Sequence, residues 1–270
     1  MENISGERGF TIKGFEFGNG TPRIVVPVMG LTDEELFDHA SKIRTEIDRL
    51  DSLYPDDPNL RVAVIEWRAD YYIDILKPGK LVETLSRLRD IFSDRVLLFT
   101  FRTEEQGGYL RPDMAMMKLH DIMPVVGASG LVDMIDVEAA VGNYNMARAA
   151  LECHENGLKV IISYHDFYRT PHDSEIIEKL RTMEILGADI LKIAVMPKNE
   201  FDTRRVMELN TRMSAECFKP VVIIAMGETG ILSRIKGKQT GSCLTFASIG
   251  QESAPGQIEA ADLIALLKNQ

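Results

Sequence analysis

Cysteine is scarce in this chain. Cys153, Cys217 and Cys243 are widely spaced and odd in number, so they outline neither a disulfide framework nor a zinc site. Such usage fits a reducing cytoplasm. Long apolar runs are missing too. No stretch approaches about 18 uninterrupted apolar residues, and no membrane span is expected. The opening MENISGERGFTIKGFEFGNG lacks the apolar centre of a secretory signal. Its alternation of Phe10, Ile12, Phe15 and Phe17 around Gly14 predicts a small hairpin. Positive charge is in deficit: a formal net charge of -10 and a pI near 5.1 argue against a nucleic-acid surface, though not against a local basic pocket for a small anion. Low-complexity and linker-like segments are absent, so a single domain is expected over residues 1–270.

The hydrophobic content is ample for a large core, at 45%, and it is arranged as a rhythm. Short β-branched runs recur roughly every 30 residues, the length of a βαβ unit. They are RIVVPVMG from Arg23, RVAVIEWR from Arg61, VLLFTFR from Val96, LVDMIDVE from Leu131, KVIISYHD from Lys159, DILKIAVMP from Asp189, PVVIIAMG from Pro220 and SCLTFAS from Ser242. Charged segments of helical period lie between them. One is opened by Thr32 as N-cap with Glu35 three residues on. Another is opened by Ser174 and stopped by Gly187. Near-continuous apolar strands alternating with helices predict a parallel sheet covered by helices. About eight such units predict an α/β fold of the closed (β/α)8 barrel type. A doubly wound open sheet is the alternative, but VVPVMGLTDEE has one glycine where a dinucleotide site needs several.

The period of two sorts each strand into faces. Val62, Val64, Glu66 and Arg68 share one, and Ala63, Ile65 and Trp67 the other. Leu98, Thr100 and Arg102 align, as do Ile161, Ser163 and His165, and Ile190, Lys192 and Ala194. Putting the bulky faces under the helices aims Glu66, Arg68, Arg102, His165 and Lys192 into the barrel mouth. Each has a plainer reading: Lys192 pairing with an acid, His165 as a structural histidine, Arg68 and Arg102 pairing with Glu66 and Asp70. Four strands delivering titratable groups to one end of a sheet is nonetheless the pattern of a site. A lysine confined among apolar residues near arginines should have a lowered pKa, and a neutral amine is what imine formation needs. His39, His120, His154 and His172 fall in helical or loop segments and are read as non-catalytic. RPDMAMMKLHDIM is read as a core helix. The turn-prone ESAPGQ segment, with Ser253 and Gln257, is either a lid or an ordinary loop.

EWRAD, FTFRT with its paired glycines, SYHDF, LKIAVMP and SAPGQ stand in this order along nearly the whole chain. Together they resemble type I 3-dehydroquinate dehydratase. The resemblance implies a (β/α)8 TIM barrel with an N-terminal β-hairpin closing its base, usually a homodimer, with no metal and no cofactor. It implies a lyase acting on the small molecule 3-dehydroquinate in the shikimate route to aromatic amino acids. Lys192 would form the Schiff base and His165 would be the general acid/base. Glu66, Arg68, Arg102 and Arg234 match substrate-binding positions, with Arg234 opposite the carboxylate. Ser253 and Gln257 match lid residues, and Met226 and Phe246 line the pocket. One position departs. Many members carry a glutamate before the paired glycines that supports the histidine. Here Gln106 precedes Gly107 and Gly108, with Glu104 and Glu105 out of register, which puts a carboxylate–histidine dyad from that position in question. A class I aldolase is a second reading, although no phosphate cradle follows the seventh strand. A non-catalytic barrel binding small carboxylates is a third.

Overall fold

The structure, a computed structural model, describes residues 8–109 and 121–269. His120 and the methionines 114, 116 and 117 of the expected core helix lie outside the described residues. A hairpin of β1 (Phe10–Ile12) and β2 (Phe15–Phe17) comes first. Among the described residues the barrel strands that follow are β3 (Arg23–Val28), β4 (Val62–Arg68), β5 (Val96–Thr100), β6 (Met134–Glu138), β7 (Lys159–Asp166), β8 (Ile190–Val195), β9 (Val221–Ala225) and β10 (Leu244–Ser248). From β3 to β9 each pairs in parallel with its successor, and β10 pairs with β3. At the remaining seam the Cys243 N–H donates to the Val221 carbonyl at 3.0 Å. The sheet therefore curls into a ring, and the expected barrel replaces the open-sheet alternative. The helices are α1 (Asp33–Leu53), α2 (Pro78–Ile91), α3 (Met123–Ala128), α4 (Asn143–Glu155), α5 (Asp173–Ile185), α6 (Glu200–Glu216), α7 (Ile231–Ile235), α8 (Gly237–Thr240) and α9 (Ala260–Lys268), with a short β11 (Ile258–Glu259) on the outer edge of β10.

Strand parity sorts the core into two layers. Ile24, Val26, Ile65, Trp67, Leu97, Leu191 and Ile193 pack outward with the helices. Val25, Val64, Leu98, Ile161 and Ile190 fill the ring. One expected face is corrected here. Val62 belongs to the outer layer and Ala63 to the inner one, because the β3–β4 register shifts between Ile24, opposite Val62, and Val25, opposite Val64. That bulge makes Ala63 the extra residue, and parity is as expected from Val64 onward.

Phe15 and Phe17 of the hairpin belong to the inner cluster. The Arg95 guanidinium stands 6.0 Å from the Phe15 ring and the Lys159 ammonium 5.0 Å from Phe10. Both cations come from the starts of strands, so the hairpin plugs the base. Thr32 caps α1 as expected, its hydroxyl accepting from the Glu35 N–H at 3.3 Å. Ser174 does not cap α5. His172 does, its Nδ1 accepting from the Ser174 N–H while the Glu175 carboxylate accepts from the His172 N–H. An imidazole nitrogen here does the work usually given to a hydroxyl. Gly187 follows the end of α5 with φ +96°, the left-handed turn that only glycine adopts without strain.

Candidate active site

At the C-terminal ends of the strands the inner layer turns polar. Lys192 on β8 is buried, with its ammonium 3.9 Å from an Asp136 oxygen and 4.2 Å from the centre of the Phe246 ring. Burial, and then the charge of Arg102, lower its pKa to about 8 against the pull of Asp136 and Glu66. At pH 7 roughly a tenth of such an amine is neutral, against a few parts in about ten thousand for an ordinary lysine.

His165 on β7 is equally enclosed. Its Nε2 lies 3.0 Å from Arg102 Nη1. A guanidinium only donates, so Nε2 presents its lone pair and the neutral ring carries its proton on Nδ1. Among the described residues Nδ1 has no hydrogen-bond partner. Burial first, then Arg102, Lys192 and Arg68, hold the imidazole well below its usual pKa of 6.5. It is a neutral acceptor at neutral pH.

The remaining charges form a paired lattice. Arg68 grips Asp70 bidentately, at 3.0 and 2.9 Å, and donates to the carbonyls of Gly107 and Ser253. Burial opposes the Arg68 charge, but Asp70 outweighs it and the pKa rises. Arg102 pairs with Asp136 at 2.9 Å, not with Glu66 or Asp70. Glu66 accepts from the Thr100 hydroxyl at 2.9 Å. Asp136 also accepts from Ser163 at 2.8 Å, and Glu138 accepts from the Thr103 N–H at 2.8 Å. Asp136 and Glu138 are the site residues that sequence reasoning missed. The signal was present: in LVDMIDVE, residues 134, 136 and 138 share a parity, and the argument made for the other strands reaches them too.

Arg234, on α7, is buried and donates from Nη2 to the Pro255 carbonyl at 3.1 Å. Burial lowers its pKa to about 10, with Glu252 pulling the other way. The ESAPGQ segment lies across this end of the barrel. Arg68 holds its Ser253 carbonyl, and the Gly227 N–H shares the Pro255 carbonyl with Arg234. Ser253 and Gln257 bond each other reciprocally: the Ser253 N–H donates to Gln257 Oε1 at 2.8 Å, and Gln257 Nε2 donates to the Ser253 hydroxyl at 3.1 Å. Met226 and Phe246 are buried in the inner apolar cluster. The expected residues thus divide into Glu66, Arg68, Arg102, His165 and Lys192 around the mouth, and Arg234, Ser253 and Gln257 under and in the covering loop.

Gln106 is buried while Glu104 and Glu105 are exposed, in keeping with their register. Its Oε1 accepts the main-chain N–H of His165 at 2.7 Å. It therefore braces the strand end, not the ring. Of the other histidines, His172 caps a helix, His154 pairs with Asp189 at 2.8 Å, and His39 bridges two main-chain groups. Among the described residues no three histidine, cysteine or acidic side chains group as a metal would need, and no helix is long and apolar enough to cross a membrane.

The profile of the type I 3-dehydroquinase family matches residues 24–270. The chain belongs to that family. It is 36% identical to the 3-dehydroquinate dehydratase of Clostridium botulinum over 95% of each chain. It is 34% identical to the Salmonella typhimurium 3-dehydroquinate dehydratase over 95% of this chain and 96% of the relative. Among solved structures it resembles the type I 3-dehydroquinate dehydratase of Clostridium difficile carrying covalently modified comenic acid, with 33% identity, a TM-score of 0.86 and 97% of each chain covered. Family membership agrees with the closed parallel barrel and with a polar cluster at the C-terminal ends of its strands, where barrel enzymes work.

Proposed function

We propose that Lys192 is the imine-forming nucleophile and His165 the general acid/base of a dehydration that converts 3-dehydroquinate to 3-dehydroshikimate. The reaction is the one the family carries out, a lyase step of the shikimate pathway. The observation that carries the assignment of residues is the pairing of a buried lysine brought to about 8 with a neutral histidine on the adjacent strand.

The neutral Lys192 amine adds to the substrate ketone, and the adduct takes up one proton, which the final hydrolysis gives back, and loses water to leave an iminium. Substrate oxygens draw Arg102 off His165, and the freed Nε2 lone pair takes the proton from the neighbouring carbon while the electron pair flows into the iminium to give an enamine. The enamine expels the β-hydroxyl, which leaves as water with the proton that His165 returns. A second water hydrolyses the conjugated iminium, freeing product and amine. The net change is loss of one water. A histidine held far below 6.5 is a weak base, so the electron sink on Lys192 must do most to acidify the carbon. The same low pKa makes its imidazolium a strong acid for the departing oxygen.

Arg234, whose charge burial disfavours, is suited to the substrate carboxylate, and Arg68, Arg102 and Glu66 to its oxygens. Ser253 and Gln257 close from above, and Phe246 and Met226 line the wall. The same reading takes the enzyme as a cytoplasmic homodimer. Three buried free cysteines support the compartment and the resemblance supports the dimer, which light scattering would measure. The test is incubation with 3-dehydroquinate and borohydride followed by mass spectrometry. A reduced adduct on Lys192 is expected. Substrate bound without an adduct would favour a non-catalytic carboxylate binder, and an adduct on another residue would overturn the assignment.

A further inference from the structure

His39 is a buried titratable group that this mechanism leaves unused. It sits on α1 and is 4% exposed. Its Nδ1 is 3.2 Å from the Met29 nitrogen and 3.1 Å from the Met29 oxygen, and its Nε2 is 3.0 Å from the Ile249 oxygen. The Ile249 carbonyl only accepts, so Nε2 carries the proton. Nδ1 of the neutral ring then accepts the Met29 N–H. Both nitrogens are spent on main chain.

Those two main-chain groups stand just past the ends of β3 and β10. The β10–β3 ladder runs Leu244 to Arg23, Thr245 to Ile24 and Phe246 to Val25. Beyond that rung the two strands have no further paired residues, and Met29 and Ile249 follow them. The imidazole joins the two strand ends beyond the ladder, taking an N–H from Met29 and giving one to Ile249. Ile249 is also where the covering loop begins. Gly250 follows with φ +77°, and an added Cβ there would meet nothing within 4 Å. At the far end Gly256, φ +74°, lies so close to Gly227 that an added Cβ would be 2.5 Å from its carbonyl oxygen. Glu259 holds the same root from the other side, accepting from the Gly250 N–H at 3.2 Å and the Ser248 hydroxyl at 3.3 Å.

We infer that His39 is a positioning residue for the loop 249–257: its ring is the fixed post that sets where the loop leaves the barrel, and so where Ser253 and Gln257 meet the substrate. The part concerning substrate rests on the reading under Proposed function. His39 touches no reacting atom. Contacts made through the loop are made alike in the ground and transition states, so their loss raises KM more than it lowers kcat.

The test uses two isosteric halves of the ring. His39→Asn places an amide where Nδ1 sits and keeps the Met29 contact but loses Ile249. His39→Gln places its amide where Nε2 sits and keeps Ile249. Hydrogen exchange of residues 249–257 is measured on the full chain without ligand, beside Tm, kcat and KM. His39→Asn is expected to speed exchange in the loop by about tenfold and to raise KM about fivefold, with kcat within about twofold. His39→Gln should stay near wild type in the loop at a similar Tm. Equal loop exchange in the two variants, or loop changes that merely follow Tm, would overturn the inference. The exchange measurement needs no imine, so a failure of the Lys192 assignment, seen as a missing borohydride adduct in the wild type, is distinguishable from a failure of this one.

Discussion

Val64 and Glu66, Leu98 and Thr100, Ile161 and Ser163, Ile190 and Lys192 are pairs of inward residues on β4, β5, β7 and β8, each about 6–7 Å apart along its strand. The lower member of every pair is apolar and belongs to the inner cluster above the hairpin plug. The upper member is polar and equally buried: Glu66, Thr100 and Ser163 are hydrogen-bonded there, and Lys192 faces Asp136 at 3.9 Å. The two layers are buried for opposite reasons. The lower one removes apolar surface from water, at roughly 25 cal/mol per Å². The upper one desolvates charges, and it is tolerable only because Arg68 meets Asp70 and Arg102 meets Asp136. The same strand geometry supports both. What changes over one pleat repeat is whether the barrel stores stability or keeps groups away from their ordinary pKa values.

The comparison breaks or sharpens through single substitutions, and the largest effect is expected at Lys192. Lys192→Ala should abolish borohydride trapping and lower kcat by on the order of 10⁴-fold or more, as loss of a covalent nucleophile does. It should also change the pH dependence of stability. The folded pKa of about 8 lies below the unfolded value near 10.4, so between those pH values the unfolded chain binds more protons. Lys192 therefore adds to stability as pH rises through that window. The variant should lack this rise in a pH series of denaturant melts. If it keeps the rise, the lysine is not the group held off its ordinary pKa.

His165→Ala comes next, with turnover down about 10²-fold or more while ligand still binds. Calorimetry alongside kinetics separates the two, and near wild-type turnover would require another base. In the lower layer, Leu98→Ala is expected to cost about 2–5 kcal/mol of stability in denaturant unfolding and to leave kcat close to wild type below its melting range. A large loss of kcat with little loss of stability there would erase the distinction between the layers.

Gln106→Glu is the smallest and most delicate change. A carboxylate can accept the same His165 main-chain N–H, but it adds negative charge beside an imidazole that now faces three cations. Charge of that sign favours the imidazolium and raises the His165 pKa, so the acidic limb of kcat/KM should move to higher pH, by about half a unit to one unit. An unmoved limb would mean that position 106 serves only the strand end, or that the limb belongs to another group.

Much of this was legible along the chain because strands and helices announce themselves by local period. The eight apolar runs, the capping by Thr32, the inward parity of Glu66, Arg68, Arg102, His165 and Lys192, and the register of Gln106 before Gly107 and Gly108 all depend on residues within a few positions of each other. Ser174 is not the cap because the helix opens two residues earlier: the His172 ring accepts the N–H of Ser174 itself, and neighbouring side chains that can both accept are not ranked by propensity alone.

The sequence by itself determined the rhythm of strands and helices and which side chains share a face, since these follow from periods of 2 and about 3.6 residues that any short segment carries. Only the tertiary structure decided that Arg102 donates to Nε2 of His165, that Asp136 stands between Arg102 and Lys192, that Ala63 bulges inward, and that His39 ties residue 29 to residue 249. Those facts turn on which strands become neighbours and how deeply each group is withdrawn from water. A pKa or a bond between residues tens or hundreds of positions apart has no local pattern to betray it, because its energy depends on distance and solvent exclusion in the closed barrel.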